Sequence, residues 1–251
     1  MQAKLHPTRE PPAPAPSSAA GDDGDTRALP LGIYLHVPFC ASTCDFCAFY
    51  QEEPRREDLD RYLAGVEREL ALAVPRRAAD TFFWGGGTPS ALPARDLARL
   101  GRTLLDHFGA PPKEWTVELA PSSVKADKLA VLRELGVNRL SLGVQSFSEA
   151  TLAGLGRRHS PTQVYAAVEA IRAAGFENLN LDLIFSVPGQ SEAAWLADLR
   201  EAVRLAPAHL STYCLTFEED TALWLKLARG QVRPDAQAGA ALYETTWDFL
   251  D

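Results

Sequence analysis

Between residues 31 and 251, six short apolar runs of strand character alternate with longer runs of helical spacing. That alternation restricts the chain more than any single residue does, because strands separated by helices pair in parallel through βαβ crossovers. Strands are expected at Ile33–Val37, Thr81–Trp84, Trp115–Leu119, Arg139–Val144, Asn178–Ile184 and His209–Leu215. Between them, apolar residues recur three and four apart, as in Leu59, Tyr62, Leu63, Val66 and Leu70 after a helix start at Asp58. Leu97, Leu100, Leu104 and Phe108 repeat the pattern, and so do Leu129, Leu132 and Leu135. Further helices are expected near Glu149–Gly154 and over Pro161–Ala174, Ala193–Leu205, Ala222–Ala228 and Ala236–Phe249. An open doubly wound sheet and a barrel both satisfy this order of elements.

Residues 1–30 are rich in Pro, Ala, Ser, Gly and Asp. Too little apolar surface is available there to offset the entropy of ordering, so a flexible tail is expected ahead of a core domain over 31–251. With 46% hydrophobic and 23% charged residues, the chain reads as one large globular α/β domain. The formal net charge of −8 gives no support to a nucleic-acid partner. No apolar run reaches the roughly 18 residues of a membrane span, and the start has no signal-peptide core. A cytoplasmic protein is expected.

Three of the four cysteines fall in one stretch after the first strand, as Cys40-x3-Cys44-x2-Cys47. Thiolates suit iron–sulfur clusters and zinc. A four-iron cluster normally takes four cysteines, so three would leave one iron open for a ligand that is not cysteine. A structural zinc site would need a fourth ligand, and His36 stands near enough in sequence to complete a Cys3His set. Disulfides fit poorly, because three clustered cysteines cannot pair among themselves and no export signal is present. A helical cysteine stripe fits the spacing, but Pro38 and the Ala-Ser-Thr spacer read better as a loop.

In barrel-type α/β folds, reactive residues gather at the carboxyl ends of the strands. Strand one leads into the cysteine loop, and strand two into Gly85-Gly86-Gly87-Thr88-Pro89, where a backbone without Cβ atoms admits a ligand closely. Glu118 and Asp182 are acids inside apolar strands, costly without partners. A structural ion pair is the plain alternative for Glu118. Gln145 follows strand four, where it could satisfy a backbone group, and Arg157 lies in a helical stretch beyond it. Cys214 in strand six reads as a free buried thiol. His36 reads as packed against the loop, whereas His159 and His209 belong to no legible constellation.

The C-x3-C-x2-C pattern resembles that of the radical S-adenosylmethionine (SAM) superfamily. Tyr34-x-His36-x-Pro38-Phe39-Cys40 resembles the opening of its oxygen-independent coproporphyrinogen oxidase family. Arg139–Phe147 and Asn180–Gln190 extend the resemblance toward the end of the chain. It implies a partial (β/α)6 barrel, open on one side. It also implies a 4Fe-4S cluster on Cys40, Cys44 and Cys47, with SAM on the open iron and one-electron reduction splitting SAM into methionine and a 5′-deoxyadenosyl radical. Carried over position by position, SAM contacts fall on Gly86, Gly87, Thr88, Glu118, Gln145, Arg157 and Asp182. Tyr34 and Phe46 match positions near the cluster and SAM, and Thr216 is a weaker match.

Two functions lie within the resemblance. A coproporphyrinogen dehydrogenase decarboxylates propionate side chains, whereas the heme-chaperone branch binds heme and passes it to an acceptor protein. The dehydrogenase motif carries a further cysteine two residues after the third; here that position is Phe49. The resemblance therefore favours the chaperone branch, with heme or a porphyrin as cargo, a reducing electron donor and an acceptor protein as partners. That branch carries an H-N-x-x-Y-W segment in its C-terminal part, which is absent here. Because the helical pattern runs to Asp251, a truncated chain is expected. A zinc-stabilised binding module on Cys40, Cys44, Cys47 and His36 is the third reading.

Overall fold

The computed structural model describes residues 29–73 and 77–251, so the tail expected over 1–30 lies, up to residue 28, outside the described residues. The first half of the chain runs β1 (Gly32–Val37), α1 (Arg56–Ala73), β2 (Thr81–Gly86), α2 (Ala94–Phe108), β3 (Glu114–Leu119), α3 (Ala126–Leu135) and β4 (Arg139–Gln145). The second half runs α4 (Glu149–Gly154), α5 (Pro161–Ala173), β5 (Asn178–Phe185), α6 (Glu192–Arg204), β6 (His209–Cys214), α7 (Ala222–Ala228) and α8 (Ala236–Leu250). Short 3-10 turns at Pro89–Ala91 and Pro121–Ser123 follow β2 and β3.

All six strands belong to one parallel sheet in the order β1-β2-β3-β4-β5-β6. This order decides between the two architectures. A doubly wound sheet reverses direction at a switch point. Here every step is to the next strand, and crossovers of one hand then place the helices on one face. Among the described residues β1 and β6 remain edges, so the sheet is a partial barrel rather than a closed one.

The two faces of the strands divide by chemistry. Trp115, Val117, Leu140, Leu142, Leu179, Leu181 and Leu183 are buried beneath the helices. α2 meets them with Leu97, Leu100, Leu104 and Phe108, each burial stabilising by roughly 1.5–3 kcal/mol. Trp84 and Trp115 pack edge to face with ring centroids 5.2 Å apart. Alternate residues of the same strands carry a polar ladder. Asn180 donates to Ser141 Oγ (2.7 Å) and Asp182 Oδ1 (2.8 Å), while its oxygen accepts from Ser211. His209 Nδ1 closes the ladder on the Asn180 oxygen. A second apolar cluster of Leu155, Ile184, Val187, Leu215 and Leu223 stands apart from the main core, with Phe46 packed against it. Among the described residues, no helix is long and apolar enough to cross a membrane.

Candidate functional site

Residues 38–55 form an irregular loop, which rules out the helical cysteine stripe. Two backbone bonds close the loop base, Cys40 N–H to the Glu52 carbonyl (3.0 Å) and Glu52 N–H to the Pro38 carbonyl (2.6 Å). The middle is tied down at Asp45. Its N–H donates to Leu155, its carbonyl accepts from Leu223 N–H, and its carboxylate meets Lys226 at 2.6 Å. His36 packs beneath the loop as expected, with Nε2 on the Tyr50 carbonyl (3.1 Å) and Nδ1 toward the Tyr34 hydroxyl (3.3 Å). Both of its nitrogens are engaged. No three His, Cys, Asp or Glu side chains among the described residues gather tightly enough for a single metal ion. With both nitrogens in hydrogen bonds, His36 is not offered as the fourth ligand that the Cys3His zinc reading needs.

The loop stands between two cavities that share Thr88, Ala120 and Arg157 as a common wall. The larger, of about 660 Å³, takes in Cys47; the smaller, of about 260 Å³, takes in Cys40 and Cys44. Residues following β2 and residues on or after β3, β4, β5 and β6 all reach the larger cavity, which requires the sheet to curve around it. Of the expected site residues, Phe46, Gly87, Thr88, Glu118, Arg157, Asp182 and Thr216 line it. Tyr34, Gly86 and Gln145 do not. Tyr34 is 59% exposed and stacks on Phe83. Gln145 sits at a β-bulge with φ 67°, its amide folded back over Gly143.

Gly86 holds φ 105°, and a Cβ there would come within 2.4 Å of the His36 ring. A Cβ on Gly87 would lie 2.8 Å from the Phe39 nitrogen and the Val37 carbonyl. The glycine run thus lets β2 end flush against the cysteine loop. Thr88 then donates its N–H to the Phe39 carbonyl (2.8 Å) and places Oγ1 3.4 Å from Cys40 Sγ.

Glu118 has no ion pair among the described residues, against the plain expectation. Burial, then the nearby Asp182 charge, push its pKa up to about 7, and the hydrogen bond from Gly86 N–H only partly opposes them. Burial also raises Asp182, against hydrogen bonds from Ser141 and Asn180. Arg157 donates to Cys44 Sγ (3.2 Å) and to the Gly143 carbonyl (3.0 Å), while its Nε is buried without a partner. Cys214 is a correction: it is exposed, at the lip of the larger cavity, because β6 is the sheet edge.

Several supporting residues escaped the sequence reading. Asp45, Ser141, Asn180 and Asp198 carry no local signal, since each acts on a partner 39 to 181 residues away. Asp198 accepts from Ser146 Oγ (2.6 Å) and Phe147 N–H (2.8 Å), fixing the turn after β4. His159 is buried on the Val144 carbonyl, and burial with the Arg157 charge lowers its pKa to about 4.

The donor set fits an iron–sulfur cluster. Burial raises the Cys40 and Cys47 thiols, and the neighbouring cysteines add to the rise, so the loop disfavours free thiolates unless a cation offsets them. Arg157 places one positive group on the Cys44 sulfur.

Comparison with known proteins agrees with this geometry. Residues 34–202 match the radical SAM superfamily. The chain is 39% identical to heme chaperone HemW of Mycobacterium tuberculosis and 37% identical to heme chaperone HemW of Escherichia coli. Those matches cover 86% and 88% of this chain and 57% of each relative. The solved structure of the E. coli coproporphyrinogen III oxidase HemN, a radical SAM enzyme, superposes with a TM-score of 0.77 at 29% identity. That match covers 88% of this chain and 52% of the oxidase. The chain thus spans little more than half the length of these relatives. Over the matched residues 34–202, which run from β1 into α6, the chain belongs to the radical SAM superfamily.

Proposed function

We propose that this chain is the radical SAM domain of a heme chaperone, which binds heme as cargo and passes it to an acceptor protein in the cytoplasm. One observation carries the choice of branch. Phe49 stands where the dehydrogenase motif has its further cysteine, and it is 70% exposed at the wall of the larger cavity. The HemW relatives support the same choice.

In this reading Cys40, Cys44 and Cys47 hold a 4Fe-4S cluster. When bound, that cluster supplies the electron that cleaves SAM. The chain's own residues bind and orient. Gly86, Gly87 and Thr88 offer close backbone approach to the methionine end of SAM. Ser141 and Asn180 hold Asp182 in one rotamer, ready to accept from hydroxyl groups. Glu118 titrates near neutrality, so a positively charged ligand draws it into the ionised form. Arg157, fixed at Cys44 and Gly143, keeps an unused Nε–H beside the site. Tyr34, Phe46, Gln145 and Thr216 complete the proposed contacts.

The deciding experiment is anaerobic cluster reconstitution followed by reduction and assay of 5′-deoxyadenosine with and without coproporphyrinogen III. Slow or absent formation, despite an intact cluster and bound SAM, is expected. Rapid substrate-dependent formation with release of carbon dioxide would replace the chaperone reading with the dehydrogenase one.

A further inference from the structure

The two cavities on either side of the cysteine loop have opposite electrostatic character. The larger is lined by Glu118, Asp182 and Glu218, with Arg157 as its one cation. The smaller has no carboxylate in its lining and carries Lys125, Lys128, Arg157 and Arg158. None of those four forms an ion pair among the described residues. His159 also lines it but is neutral near pH 7. Asp127, in the first turn of α3, is the nearby acid that acts on Lys128. Lys128 is half-buried, with its ammonium on the Ser90 carbonyl (2.5 Å). Lys125 and Arg158 are exposed at the rim. This basic group stands on a chain of net charge −8, so it is a local feature against the overall balance.

Its position gives it a use. Cys40 and Cys44 form part of the same wall and Cys47 lines the acidic cavity, so a cluster held by the three cysteines would have ligands in both walls. The acidic cavity is the larger and holds most of the proposed SAM contacts. An electron must therefore enter from a direction that SAM does not block. A rim of unpaired cations beside the sulfur ligands attracts and orients an acidic macromolecule, raising its encounter rate.

We infer that the face formed by Lys125, Lys128 and Arg158 beside Cys40 and Cys44 is the docking surface for a small acidic one-electron carrier protein that reduces the cluster. In the step itself one electron leaves the carrier, which is oxidised by one equivalent, and the cluster gains it. No bond forms or breaks. The inference rests on the cluster reading above and is independent of the choice between heme chaperone and dehydrogenase.

The test uses the full chain with its cluster reconstituted. Loss of cluster absorbance is followed in stopped flow after mixing with a bacterial flavodoxin in its hydroquinone state, at low salt and sub-saturating carrier. Lys125→Glu/Arg158→Glu reverses two exposed charges outside the proposed SAM site. It is expected to slow reduction by about tenfold or more, within the range of electrostatic steering. Reduction by dithionite, which needs no docking surface, is expected to be unchanged, as are iron content and SAM affinity. In the parent chain, added salt is expected to slow the flavodoxin reaction until parent and variant converge. Equal flavodoxin rates in parent and variant, or an equal slowing with dithionite, would overturn the assignment. So would suppression by inorganic phosphate at matched ionic strength, which would make the cavity a small-anion site. Failure to assemble any cluster in the parent would instead remove the cluster reading itself. Should the double variant fold poorly, the salt dependence of the parent alone decides, since a rate insensitive to salt excludes charge-guided docking.

Discussion

At the scale of single residues, Glu118 sets the most distinctive behaviour. Its folded pKa of about 7 lies above the usual 4.5, so the folded chain keeps a proton that the unfolded chain has released. Folding stability therefore falls as pH rises through that window, by about 3 kcal/mol at most for this group. His159 acts in the opposite sense: its pKa of about 4 lies below the usual 6.5, so stability falls as pH drops from 6.5 to 4. Glu118→Gln keeps an acceptor for Gly86 N–H and removes the charge. In thermal melts of the ligand-free chain, this variant is expected to gain stability at pH 8 and little at pH 5. An equal gain at both values would mean that the benefit does not come from the charge. With SAM present the variant should bind more weakly, because a carboxylate for the positively charged ligand is gone.

At the scale of elements, the join between β2 and the cysteine loop is the sensitive point. Gly86→Ala places a non-glycine residue at φ 105° and a Cβ within 2.4 Å of His36. Backbone strain of this kind costs about 1–3 kcal/mol, which urea denaturation would read directly. His36 must also leave the Tyr50 carbonyl, so iron retained after reconstitution should fall. Gly86→Ala/His36→Ala is expected to recover part of the lost stability, since the clash vanishes while the strained φ remains. Full additivity of the two substitutions would show that the ring is not what confines Gly86.

At the scale of the whole molecule, two separate apolar clusters serve different ends. The main core holds the sheet and helices together, while the smaller one around Leu155, Leu215 and Leu223 lies under the cysteine loop. Leu132→Ala and Leu223→Ala each remove a buried leucine and should cost about 2–5 kcal/mol. Their effects on the site should differ. Leu223 belongs to the small apolar cluster against which Phe46 of the cysteine loop packs, so Leu223→Ala is expected to lose cluster iron in a chelator challenge, whereas Leu132→Ala keeps it at the same temperature. Equal iron loss would mean that cluster retention simply follows global stability.

Periodicity and motif spacing were enough to determine six strands, eight helices and a loop of three cysteines, because these patterns are local and each element repeats its own period. Most element boundaries shifted by one or two residues, as where β2 runs on through Gly85 and Gly86. The polar residues at the strand ends were legible individually, since an acid such as Glu118 within an apolar strand is costly. Their grouping was implied only by the family resemblance, not by any local pattern. The order of elements left the partial barrel and the doubly wound sheet open, because both share it; the family resemblance implied the barrel and the strand order shows it. Only the curvature of that sheet brought Gly87, Glu118, Arg157, Asp182 and Thr216 to one cavity while leaving Tyr34 and Gln145 outside it. The exposure of Cys214 and the ladder through Asn180 were likewise decided in three dimensions, where burial and hydrogen-bond partners depend on residues far away in the chain.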